Sequence, residues 1–162
     1  MQIDRWVAYK NHVEQLGIDE IMKYSVSTAK LILRIFEAYL AKNPQIEISF
    51  FKDKFALIVT NMEFFGKGDL GKQFEIRKGF GELLQYAKAS YEDLFIHLIV
   101  STIFDLMRLI CPVASYLRAV GEEKGYDNAA YFIFQVDKNY FAYVDRFGTL
   151  CRKWNKLKRE ER

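Results

Sequence analysis

Residues 90–111 read SYEDLFIHLIVSTIFDLMRLIC, from Ser90 to Cys111. Apolar side chains fill nearly every position between Leu94 and Ile110, so the segment is apolar around most of a helical circumference. Such a helix belongs inside a bundle. Ser90, with Asp93 three residues on, predicts an N-cap and a first-turn carboxylate at the positive end of the helix dipole. Pro112 predicts the far end. About 20 consecutive apolar residues would span a bilayer, but His97, Asp105 and Arg108 interrupt this run. An ionisable group at mid-membrane costs at least about 2.5 kcal/mol, so the expectation is a core helix and no membrane span.

The interruptions have a spacing of their own. Asp93, His97, Ser101 and Asp105 recur every fourth residue and Arg108 follows at three, which places all five on one stripe of the helix. One reading is a polar seam with Asp105 and Arg108 paired. The other is a functional stripe within the bundle.

Outward from this helix, three- and four-residue spacings recur over most of the chain. Ile3, Trp6, Val13 and Leu16 predict a first amphipathic helix stopped at Gly17. A second is predicted from about Asp19 to Ala41 on Ile21, Met22, Val26, Ala29, Ile32, Leu33, Phe36 and Leu40. Asn43 and Pro44 are expected to break it and open the next element as N-cap and first-turn proline. Residues 45–65 are ambiguous. Ile48, Phe51, Phe55, Ile58, Met62 and Phe65 fit a helix, whereas Ile46, Ile48 and Phe50 followed by the β-branched run to Thr60 would fit strands. Helix is favoured, with an α+β alternative carrying a small hairpin within 45–77.

The string GKGDLG at 66–71 predicts a loop and lacks the phosphate-binding glycine fingerprints. Leu70, Phe74, Phe80, Leu84 and Ala87 predict a helix over 72–89, with a kink or break at Gly79 and Gly81. Residues 113–120 are expected to continue the central helix beyond Pro112, and GEEKGYDN to form a loop. A long final helix capped by Asp127 or Asn128 follows, with a core face of Ile133, Val136, Tyr140, Val144, Phe147, Cys151 and Trp154. The fold class is therefore all-α: a single domain over 1–162, a bundle of five or six helices around a buried central helix.

Composition narrows the function classes. The chain has 162 residues, 51% of them hydrophobic and 16% aromatic, which excludes disorder for its body and allows a core without staples. Cys111 and Cys151 have no ligand spacing and read as reduced residues of a cytoplasmic protein. The N-terminal residues show no signal-peptide pattern. Net charge is +3, yet from Arg146 onward seven cations face two acids, leaving the remainder at −2. This basic end, with Arg152, Lys153, Lys156 and Lys158, could contact nucleic acid or simply complement a helix dipole.

Catalytic and metal chemistry find little footing. Ser101, His97 and Asp105 lie in a row with the serine in the middle, whereas a triad needs the base there. Asp93 and His97 are spaced for two metal ligands but lack a second pair, so no metal and no cofactor are expected. Arg5 and His12 enclose six residues, and this Arg-x(4-6)-His pattern resembles the HEPN family of small helical ribonucleases. The resemblance covers eight residues and lies at the start of the chain, whereas the family carries its motif toward the end. It implies that Arg5 and His12 act on an RNA phosphodiester.

The reading favoured is a non-enzymatic helical interaction or scaffold protein that self-associates or docks a protein partner. An RNA-acting protein, through the basic end or through Arg5 and His12, is the alternative. Tyr131, Phe132, Phe134 and Tyr143, left over once the last helix has a core face, predict an apolar patch and a homodimer.

Overall fold

The computed structural model describes residues 17–121 and 126–160, which fold into five helices with no strand among them. We label these α1 (Ile18–Lys42), α2 (Ser49–Gly66), α3 (Lys72–Leu84), α4 (Leu94–Gly121) and α5 (Tyr126–Glu160). The helix predicted over 3–16 lies outside the described residues.

The central helix is α4, which packs against α1, α3 and α5, while α2 packs between α1 and α3. Ile99, Ile103, Leu106, Leu109 and Ile110 of α4 are fully buried. Leu94–Ala119 is long and apolar enough to cross a membrane, yet half of that stretch is buried inside the fold. Its longest partnership is with α5, which runs antiparallel to it, pairing Phe95 with Trp154 at one end and Asp105 with Arg146 further along.

Several boundaries differ from the sequence reading for local reasons. The side chain of Asp93, not Ser90, caps α4: its Oδ1 accepts from the Ile96 amide at 2.9 Å. An aspartate three residues before that amide satisfies a donor the helix itself cannot. Pro112 does not mark the end of α4, and the helix continues over 113–120 as expected, to Gly121. The helix tolerates the lost amide because packing, not local propensity, holds it. Asn43 closes α1 rather than opening α2: its amide donates to the Leu40 carbonyl and its Nδ2 to that of Tyr39. Residues 49–66 are helical and the hairpin is overturned.

Gly17 has φ 73°, the left-handed conformation anticipated there. Gly79 and Gly81 sit in an uninterrupted α3. A Cβ at Gly79 would lie 2.7 Å from Cγ1 of Ile58, so this glycine lets α3 close on α2, whereas a Cβ at Gly81 meets nothing. The face assigned to α3 is corrected. Gln73, Ile76, Phe80 and Leu83 are buried, while Phe74 and Leu84 are exposed. Buried Gln73 donates to Ser115 Oγ and accepts from Arg118, whose guanidinium lies 3.7 Å from the ring centre of exposed Phe74.

The α5 face is also shifted. Val136, Tyr143 and Leu150 are fully buried, with Tyr140, Phe147, Trp154 and Leu157 packed against the core. Their four–three alternation is the seam of a coiled-coil-like pairing with α4. Tyr143 thus belongs to the core and leaves the predicted patch. Two ion pairs tie α2 to its neighbours: Lys30–Glu63 from α1 and Lys54–Glu82 from α3, each 2.6 Å. Each acid is held below the usual carboxylate range by its lysine.

Candidate functional site

The predicted polar stripe separates into unconnected parts. Asp93 is consumed by the cap of α4 and by the hydroxyl of Tyr39, which donates to its Oδ2 at 2.7 Å. His97 is exposed and Ser101 half-buried, and neither closes a site with Asp93. Asp105 is buried; it accepts from Arg108 Nη1 at 2.9 Å and from Arg146 Nε at 3.1 Å. That arrangement extends the anticipated Asp105–Arg108 pair into a clamp joining α4 to α5. Among the described residues no three of His, Cys, Asp or Glu gather as metal ligands. Arg5 and His12 lie outside the described residues.

At the basic end, Arg152, Lys153, Lys156 and Lys158 are exposed. The interleaved aromatics are occupied elsewhere: Trp154 stacks on Phe95 at 5.9 Å and Phe147 on Tyr143 at 6.1 Å. Lys42 and Lys158 lie 5.7 Å from the ring centre of Trp154, so part of this charge sits over the core.

Two features escaped the sequence reading. The first is the outer face of α2. Phe50, Leu57 and Phe64 are 74, 57 and 48% exposed, although Phe51, Phe55, Ile58, Met62 and Phe65 of the same helix are buried. Seven-residue spacing keeps the three on one line, about 21 Å long at 1.5 Å per residue. Tyr86 stacks on Phe50 with ring centres 6.2 Å apart and widens the upper end. The spacing was visible, but assigning the core face left these residues unremarked.

The second feature is a cleft of about 350 Å³ between α3, α4 and α5. Arg77, Arg108 and Lys138 bring one cation from each helix, Ser115, Gln135 and Asn139 bring polar groups, and Cys111, Pro112 and Phe132 supply apolar wall. The Cys111 thiol is pushed up to about 11 by burial, with the Arg77 charge opposing, so it remains protonated near neutrality. A wider groove of about 840 Å³ beside α1 is lined by Lys23, Lys30, Arg34 and Lys67, but Asp19 and Glu63 line it too. Glu63 already binds Lys30 at 2.6 Å and approaches Lys67 at 4.0 Å.

No family model matches the chain, and no curated protein or solved structure matches it.

Proposed function

We propose that the protein is a non-enzymatic helical interaction module that self-associates through the outer face of α2. The observation that carries the reading is the line Phe50–Leu57–Phe64, exposed on a helix whose other face already fills the core. The line is the same read in either direction. Two copies placed antiparallel about a two-fold axis at Leu57 bring Phe50 of one against Phe64 of the other, the self-complementary contact that a symmetric dimer needs. The flanks then match Asp53 with Thr60 and Lys54 with Asn61, so no like charges are forced together.

The reading treats α4 as a core helix, supported by its five fully buried residues between Ile99 and Ile110. It places the protein in the cytoplasm, in keeping with two unpaired cysteines. Light scattering at increasing concentration tests it: a dimer mass for the wild type, and a monomer mass for Phe50→Ser/Leu57→Lys/Phe64→Ser with unchanged circular dichroism. A wild type that stays monomeric at high concentration removes self-association; a dimer that survives the triple substitution moves the interface elsewhere.

A second reading rests on the exposed cations of α5: nucleic-acid binding through Arg152, Lys153, Lys156 and Lys158. With Phe147 and Trp154 committed to the core, such contact is electrostatic, sequence-independent and steeply weakened by salt. Changing the four to Glu should abolish it at low salt. Undiminished binding excludes this surface.

A further inference from the structure

We infer that the cleft between α3, α4 and α5 binds a small phosphomonoester. Arg77, Arg108 and Lys138 converge on it from three different helices, and no carboxylate lines it among the described residues. This separates it from the wider groove beside α1, where Asp19 and Glu63 stand among the cations. It also separates it from the end of α5, where Arg152, Lys153, Lys156, Lys158 and Arg159 all come from one helix and form an open surface.

Arg77 and Lys138 make no hydrogen bond or ion pair among the described residues. Arg108 is oriented by Asp105, which takes one of its five N–H donors and leaves the others for a ligand. An arginine fixed by a second residue presents its planar fork in one orientation, and that fork matches two phosphate oxygens. Ser115 Oγ accepts from Gln73, so its own proton is available to a ligand oxygen. The volume, about 350 Å³, sits at the small end of ligand pockets. It suits a phosphate with a short organic group against the Pro112 side, and excludes a stack of nucleotides.

The test is calorimetric titration of the full chain with phenyl phosphate at low and physiological salt, with phenol, inorganic phosphate and a single-stranded oligoribonucleotide as comparators. Saturable binding of one phenyl phosphate per chain is expected, weaker for inorganic phosphate and absent for phenol. Arg77→Ala and Lys138→Ala should each weaken it about tenfold, the loss of one charge-assisted contact. Both side chains are exposed, so the fold should persist by circular dichroism. Lys156→Ala, a charge-matched control on remote α5 surface, should leave the affinity unchanged. Equal weakening by Lys156→Ala, or no saturation by the phosphomonoester, overturns the proposal. So does tighter binding of the oligoribonucleotide that Arg77→Ala leaves intact, which would assign the anion affinity to the open basic surface.

Discussion

The hydroxyls of Thr28 on α1 and Tyr143 on α5 lie 2.6 Å apart in the buried centre of the bundle, 115 residues apart in the chain. Thr28 has one proton, and its Oγ1 lies 2.8 Å from the Tyr24 carbonyl, so Tyr143 donates and Thr28 accepts. Around them the ring of Tyr24 meets Tyr140, Tyr143 and Phe147 edge to face.

This proton count makes the two partners unequal. Thr28→Val leaves the buried Tyr143 hydroxyl without its acceptor and should cost about 1–3 kcal/mol. Tyr143→Phe leaves Thr28 its carbonyl partner and should cost about 1 kcal/mol. Urea unfolding of the two variants and their double mutant measures the difference; a larger loss for Tyr143→Phe would reverse the assigned direction.

The glycines of α3 should respond with opposite signs. Gly79→Ala forces a methyl against Ile58 and should destabilise by about 1–3 kcal/mol. Gly81→Ala meets open space and should stabilise by about 0.5–1 kcal/mol through helix propensity. Thermal melts of both decide whether the close approach of α2 and α3 holds in solution.

Alkaline pH should loosen the fold through its raised phenols. Burial and the Asp93 carboxylate push the Tyr39 phenol up to about 12 from its ordinary 10.0, and burial holds Tyr143 higher still. Between those values the unfolded chain releases a proton that the folded chain keeps. Stability from Tyr39 is therefore whole below pH 10 and is lost as pH rises toward 12. Denaturant unfolding at about pH 9 and about pH 11 should show the fall, and Tyr39→Phe should flatten its share of the slope. An equal slope in that variant would show that Asp93 does not hold the phenol.

The proposed α2 dimer would place Leu57 on its own two-fold axis. Facing helices at 8–10 Å bring Cα atoms at the contact within about 4–6 Å, inside disulfide range. Leu57→Cys should therefore form an intermolecular disulfide on mild oxidation, visible as a dimer on a non-reducing gel. Thr60→Cys, off the axis, should form far less.

Much of the architecture was legible because periodicity reports burial directly. Ile21, Met22, Ala29, Ile32 and Phe36 bury the α1 face their spacing predicts, and six matches to helical period over 48–65 outweighed the β-branched residues. α3 misled because its buried position 73 is a glutamine whose partners, Ser115 and Arg118, lie 42 and 45 residues away. No local pattern announces that, whereas exposed Phe74 looks like core. On α5 the ambiguity is one of register: Tyr143 and Val144 are adjacent, and only pairing with α4 at the seven-residue repeat selects Tyr143. Of the candidate site, the Asp105–Arg108 pair was readable on one helix. The cleft was not, since its cations stand at 77, 108 and 138 and only the tertiary fold gathers them.

The antiparallel pairing of α4 with α5 also sets an order of events at the ribosome. Val136, Tyr143 and Leu150 are made after every helix they cover, and residues 126–160 take about 2–7 s to synthesise at 5–20 residues per second. For that interval α4, the most apolar helix among the described residues, waits with one flank uncovered. Nascent chains halted when residue 121 has left the exit tunnel but residue 136 has not should therefore bind a hydrophobic-surface dye or a trigger-type chaperone, and chains halted after residue 160 has left the tunnel should release it. α5, made after α4, is the helix that takes the apolar flank of α4 out of the hands of the quality-control machinery.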